Sequence, residues 1–153
     1  MNDDVKGERK MTFKEITRDD VEEMAVMYTE SFSTPPWNEP WTVDISKKRL
    51  TQMINCEGFY GLLAYEADTL VGLILGNTEH SFKGLEFYIK EFCTIPAVQG
   101  KGVGSQLLTE FEARLVKQGV AAIYLITAKG DPTEGFYTRR QYQTDQDWIL
   151  MRK

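Results

Sequence analysis

Two cysteines and one histidine in 153 residues leave little room for thiol or metal chemistry. Cys56 and Cys93 make no disulfide framework, and with His80 they do not form the ligand spacing of a zinc site. Both cysteines read as small buried hydrophobes. Long apolar runs are missing as well, since no stretch approaches the ~20 residues that span a bilayer. The first ten residues are polar and charged and lack the apolar core of a secretory signal. The expectation is a loose tail over residues 1–10, then one domain over residues 11–153, cytoplasmic, with no metal and no membrane partner. A basic excess is also absent: 18 Lys and Arg stand against 23 Asp and Glu, for a net charge of −5. That balance argues against a nucleic-acid partner and agrees with a small cationic or amine-bearing one.

What the chain does have is glycine at alternate positions, in Ile95-Pro96-Ala97-Val98-Gln99-Gly100-Lys101-Gly102-Val103-Gly104-Ser105. An apolar run leads into this stretch. An amphipathic helix follows, with Val103, Leu107, Leu108, Phe111 and Leu115 on one face and Gly119 as its C′ residue. Glycine permits positive φ and removes the Cβ that would hold a ligand away. The first N–H groups of a helix lack intrahelical partners and lie at the positive end of its dipole. Strand, glycine loop and helix therefore predict a cradle for a phosphate-bearing ligand. A Rossmann fingerprint fails for want of a third glycine after Gly104, and a P-loop fails because Gly100-Lys101 is followed by Gly102.

The remaining pattern predicts one α/β domain in the order β-α-α-β-β-β-α-β-α-β. Residues 11–16 alternate as a short edge strand. Thr17 and Asp20 form a capping box for a helix that turns Val21, Met24, Ala25, Tyr28 and Phe32 inward and stops before Pro35-Pro36. A second helix is expected over Val43–Ile54, with Ile45, Leu50, Met53 and Ile54 toward the core. Apolar runs at 59–66 and 70–76 predict a hairpin of strands covered on both faces. Residues 77–84 read as a polar connection holding a surface His80, and 85–95 as a strand ending at the glycine loop. Residues 121–127 read as another buried strand. Asp131 and Pro132 suit the N-cap and N1 of a short helix bearing Phe136 and Tyr137, and residues 148–151 suit a final strand. Between the first two helices, Pro35-Pro36-Trp37-Asn38-Glu39-Pro40-Trp41 is stiff and aromatic. It suits a packed turn equally with a substrate wall in which Glu39 meets an ammonium and Trp37 and Trp41 cover it.

The pattern Gln99-x-x-Gly102-x-Gly104 resembles the acetyl-CoA motif (Q/R-x-x-G-x-G/A) of the GNAT superfamily of N-acetyltransferases. Phe136-Tyr137 with Tyr142 is similar to that family's F-Y-x-x-x-G-F segment, and the element order matches from Met11 onward. The resemblance implies a mixed sheet splayed open beside the glycine loop. It implies that the backbone of Gln99, Gly100, Lys101, Gly102, Val103 and Gly104, with Ser105, holds the pyrophosphate of acetyl-CoA. The strand end Cys93, Thr94 and Ile95 would pair with the pantetheine amides, in the manner of an added strand. Tyr137, next to Phe136, would be the general acid for the leaving thiolate, a phenol of pKa about 10 suiting a thiolate of about 8.5. Dimers are frequent in the family, so a homodimer is implied as well. Two residues depart from the pattern: Gln141 stands where the family has glycine, and Gly130 where an asparagine often touches the pantetheine.

Acetyl transfer to an alkylammonium of pKa near 10 needs a proton acceptor. Glu86 and Glu91 lie five residues apart on the strand before the loop, hence on opposite faces of an undistorted strand. Glu91, nearer the thioester, is the favoured base, and an acidic residue is frequent there in the family. Glu86 is assigned to acceptor binding with Trp37, Glu39 and Trp41; a solvated edge position would explain either glutamate equally. Cys93 as an acyl carrier is disfavoured, since no histidine is placed to activate it. The expected activity is acetyl-CoA-dependent N-acetylation of a small cationic amine, aminoglycoside-like or polyamine-like, by direct attack in a ternary complex. A non-catalytic acyl-CoA sensor keeping the same cradle is the alternative, and an ATP-binding regulator a third.

Overall fold

A capping box starts the fold, in a computed structural model that describes residues 10–153. All but Lys10 of the expected N-terminal tail lies outside the described residues. The Thr17 N–H donates to Asp20 Oδ2 at 2.7 Å, and Lys14 pairs with the other carboxylate oxygen. The box turns the chain from Met11–Glu15 (β1) into Val21–Ser33 (α1). α1 buries Met24, Ala25, Tyr28 and Phe32 as expected, together with Met27 and Ser31, while Val21 stays partly exposed. Val43–Ile54 (α2) has the predicted bounds and is capped by the Thr42 hydroxyl, which accepts from the Ile45 N–H at 3.3 Å. Leu50 is fully buried and Met53 and Ile54 pack at the margin, but Ile45 is half exposed. Ser46 takes the inward place instead, hydrogen-bonded to Thr29 of α1 at 2.8 Å.

Phe59–Glu66 (β2), Thr69–Ser81 (β3) and Gly84–Thr94 (β4) run antiparallel with β1 in a five-stranded sheet. Val120–Leu125 (β5) then joins β4 in parallel, after Val103–Lys117 (α3) has crossed one face. Helices α1 and α2 cover Leu63, Leu73 and Leu75 on one side, and α3 covers Leu62, Ile74 and Phe87 on the other. That double cover explains the near-continuous apolar runs of β2 and β3.

Four expectations are corrected. Residues 77–81 continue β3, and only Phe82 and Lys83 make the reversal, so His80 sits exposed on a strand. Polar side chains disguise this stretch because the hairpin ends in water there. β5 is a half-exposed edge strand and not a buried one, for Ala121, Ala122 and Tyr124 face solvent. Asp131 does not cap: it lies within the π turn Asp131–Gly135, pairs with Arg139 at 2.9 Å, and the turn runs into the short helix Phe136–Thr138 (α4). Residues 148–151, apolar enough to be a strand, pair with no strand among the described residues and are exposed.

The register of β3 and β4 slips where Gly76 faces Ile89 and Leu75 faces Glu91, leaving Lys90 as an extra residue. The bulge turns β4 over. Phe87 and Ile89 pack beneath α3, whereas Cys93 packs beneath α1. Glu91, opposite Leu75, therefore shares the α1 side with Glu86, opposite Glu79, contrary to the simple five-residue count. Gly76 is required at this point, because a Cβ there would fall 1.8 Å from the Tyr88 carbonyl oxygen. Gly76→Ala is expected to lower stability by about 2–3 kcal/mol, measured by urea denaturation.

Candidate active site

β4 and β5 stay paired only from Leu85 and Val120 to Ile89 and Leu125. Past the bulge, residues 90–94 continue along β3, so their other edge has no main-chain partner among the described residues. The sheet opens there onto a cavity of about 1070 Å³. Cys93 and Thr94 line it; Ile95 does not, since its N–H is held by the Val71 carbonyl at 3.0 Å and its side chain packs into the core.

The glycine loop forms one wall. Gly100 and Gly102 take φ values of +76° and +83°, and a Cβ built on either meets nothing within 4 Å. Packing therefore makes no demand for glycine here. The left-handed backbone does, and the space beside it is open to a ligand. The first bond of α3 runs from the Gln106 N–H to the Gly102 carbonyl at 3.1 Å, which leaves the N–H groups of Val103, Gly104 and Ser105 unused. Free donors, a helix dipole and an open approach fit a diphosphate. Gln99, Gly100, Gly102, Val103, Gly104 and Ser105 line the cavity, while Lys101 points to solvent outside it.

Arg140 was not singled out by the motif. Its guanidinium lies 3.7 Å from the centroid of the Phe136 ring and donates to Ser105 Oγ, beside the start of α3. Its position four residues after Phe136 was the only sequence signal for it. Arg139, paired with Asp131, and Arg152 also line the cavity, although the chain as a whole is acidic.

An aromatic floor lies next to this end. Phe92, Phe136 and Tyr137 meet edge to face, with centroids 5.2–6.3 Å apart. Burial pushes the Tyr137 hydroxyl well above the ordinary tyrosine range, so it stays protonated at neutral pH. Gln141 has a φ of +68°, the conformation that glycine adopts at lower cost, and the turn closes with the Tyr142 N–H on the Tyr137 carbonyl at 3.1 Å. The departure at Gln141 thus leaves the backbone path of a glycine in place.

The loop between α1 and α2 makes the far wall. Trp37, Glu39 and Trp41 all line the cavity and the tryptophans are packed as well, Trp41 edge-on to Tyr28 at 5.1 Å and Trp37 tilted against Phe32 at 5.7 Å. Trp41 Nε1 donates to Glu39 Oε2 at 2.5 Å. Beneath them Glu91, only 7% exposed, accepts from Arg49 Nε at 2.6 Å. Burial raises the Glu91 pKa above the usual carboxylate value, with Arg49 and the Tyr28 hydroxyl opposing it. Tyr28 and Arg49 carried no functional signal in the sequence: Tyr28 fell on the inward face of its helix, and Arg49 belonged to no motif. Glu86 lies four ladder positions from Glu91 along β3, about 13 Å away, and does not line the cavity. Burial holds the Cys93 thiol protonated, and no group of His, Cys, Asp or Glu among the described residues is arranged to hold a metal.

A mixed sheet that parts beside a glycine cradle, over a half-buried tyrosine, is the architecture of an acetyltransferase. The model of the acetyltransferase (GNAT) family matches residues 21–142, and the chain belongs to that family. Acetyltransferase SG1711 of Sodalis glossinidius (strain morsitans) is 25% identical over 144 residues, 94% of each chain. Among solved structures, the aminoglycoside N-acetyltransferase AAC(6')-Iy in complex with CoA superposes with a TM-score of 0.72 at 12% identity, covering 97% of this chain and 98% of that one. The aminoglycoside acetyltransferase meta-AAC0020 from an uncultured soil metagenomic sample, in complex with sisomicin, gives 0.68 at 15% identity and 94% of each chain.

Replacing Gln141 by glycine is expected to raise stability by about 1 kcal/mol, measured as a higher urea midpoint at unchanged m-value.

Proposed function

We propose that the protein is an acetyl-CoA-dependent N-acetyltransferase that acts on a primary amine of a small molecule. The observation that carries this reading is the unused glycine cradle opening onto the same cavity as Tyr137 and Glu91. Acetyl-CoA supplies the acetyl group as a thioester. The N–H groups of Val103, Gly104 and Ser105, with Arg140 beside them, would hold the diphosphate. The free edge of residues 90–94 suits the amide-bearing arm. Tyr137, kept protonated by burial, donates its proton to the departing thiolate. Glu91, its pKa raised, accepts the proton that the ammonium must lose, directly or through water. The amine attacks directly in the ternary complex, with residues 11–153 acting as one cytoplasmic domain.

Glu39, Trp37 and Trp41 support a cationic acceptor, and the likeness to a sisomicin-bound aminoglycoside acetyltransferase supports the same class. Arg49 favours a second reading. Its Nε is taken by Glu91, but Arg49 lines the same cavity and its guanidinium has further donors that would suit an acceptor that also bears a carboxylate. CoA-thiol release across a panel of polyamines, aminoglycosides and amino acids separates the two. No release with any amine, despite acetyl-CoA binding, would favour a sensor.

Tyr137→Phe is expected to lower kcat by about 100-fold or more while leaving CoA affinity in isothermal titration unchanged. Equal turnover would remove Tyr137 from the mechanism. Glu91 must be ionised to accept a proton, so kcat/KM falls as pH drops through its raised pKa. Arg49→Met removes a neighbour that lowers that pKa and should move the acid limb to higher pH; an unmoved limb rules out Glu91 as the titrating base.

A further inference from the structure

Glu86 lies outside the cavity, yet it belongs to a second cluster. On the α1 side of the sheet it faces Glu79 across β3 and β4. Neither forms a salt bridge among the described side chains, although like charges directly opposite on a ladder are destabilising. Two rings stand beside them: Tyr88, two residues past Glu86, and its ladder partner Tyr124, stacked at 4.8 Å and 7°. This shelf is open to solvent, with Glu79 and Tyr124 exposed and Glu86 and Tyr88 partly so. The Tyr124 hydroxyl donates to Glu79 Oε2 at 3.3 Å. Burial, and then the charges of Glu79 and Glu86, raise its pKa above the ordinary tyrosine value.

Two further observations point to a cationic ligand. Asn77, 4% exposed and opposite Tyr88, donates to Glu79 Oε1 at 3.3 Å, while its own Oδ1 has no partner. A buried acceptor without a donor costs free energy, and this one sits beside the carboxylates. Lys90, also without a salt bridge, holds its Nζ 5.9 Å from the centre of the Tyr88 ring. The chain's own ammonium thus already uses the shelf. Lys90 and Ile126, two residues past Tyr124, line the cavity, so the shelf adjoins it.

We propose that Glu79 and Glu86, on the Tyr88–Tyr124 shelf, bind a second ammonium of the acceptor, about 13 Å from the amine that Glu91 serves. The spacing is that of the four β3 residues from Leu75, the partner of Glu91, to Glu79. The acceptor is then an extended polycation, a linear polyamine or an aminoglycoside, and a simple monoamine loses half of its hold. An ammonium brings three donors to the two carboxylates and a charge to the ring faces. Lys90, on a flexible four-carbon stem, yields its place over Tyr88. This inference rests on the amine-acetylating reading of the cavity and adds to it where the far end of the acceptor is held.

CoA-thiol release is measured with spermidine, sisomicin and butylamine, on the full chain and on the double variant Glu79→Gln with Glu86→Gln. The substitutions keep the side-chain shape and remove the charge. The KM of the polycation should rise about 10-fold, as expected for two partly exposed ion pairs, with butylamine turnover and CoA affinity unchanged. The polyamine or the aminoglycoside, whichever KM depends on the pair, is the class that the shelf serves. An unchanged KM for both, or an equal loss with butylamine, overturns the proposal. If no amine releases the thiol, the acetyl-transfer reading falls, and calorimetry decides the shelf separately. Spermidine or sisomicin binding that the double variant weakens upholds it. No binding to the unaltered chain, or binding that the variant leaves unchanged, overturns it.

Discussion

The carbonyl oxygen of Tyr88 fills the space where residue 76 would otherwise carry a side chain. That close approach lets β4 hold one residue more than β3 at Lys90, and the site follows from the extra residue. Before it, the inward side chains of β4 belong to the α3 side of the sheet; after it, Glu91 and Cys93 belong to the α1 side. Phe92 is thereby delivered to Tyr137 and Phe136, and Glu91 to Arg49 and Tyr28. The strand also parts from β5 just past this point, which exposes the edge an extended ligand can use. One backbone irregularity thus sets Glu91 and the aromatic floor around Tyr137 on separate walls of the cavity.

Much of this was legible in the residues. Positive φ at Gly100 and Gly102, the bounds of α2 and the box at Thr17 and Asp20 are local properties, written in short stretches of chain. What was hidden depends on pairing. The slip at Lys90 has no sequence signature of its own, so the count from Glu86 to Glu91 put them on opposite faces. The tail of β3 was masked by Asn77, Thr78, Glu79 and His80, because polarity does not report strand geometry; Asn77 is polar yet buried, while Glu79 and His80 are exposed. Residues 148–151 read as a strand from composition, but a strand requires a neighbour and composition names none. Arg49 and Tyr28 became functional candidates only once two helices were packed over the sheet.

Electrostatics in the cavity is organised against the charge of the chain. A net −5 is spread over the molecule, yet Arg140 stands on Ser105 at the end where α3 directs its free N–H groups, and Arg139 and Arg152 line the same cavity. On the wall beneath the tryptophans Arg49 is neutralised by a carboxylate it shares with a tyrosine. The donor end is suited to a polyanion held by fixed backbone donors, while the other end offers aromatic faces and one adjustable ion pair. Chemistry would occur between them, where burial leaves Tyr137 unable to ionise at neutral pH.

The loop of residues 35–41 packs on the core between the sheet and α1–α2, and the glycine cradle grows from the core between the sheet and α3. The sheet separates them. Substitutions in the tryptophan loop can therefore accumulate with little strain passed to the glycine cradle, and the reverse holds as well. Under the proposed function, such modularity would give a lineage of these proteins a route to new acceptors in which the cradle is inherited intact while the facing wall diversifies.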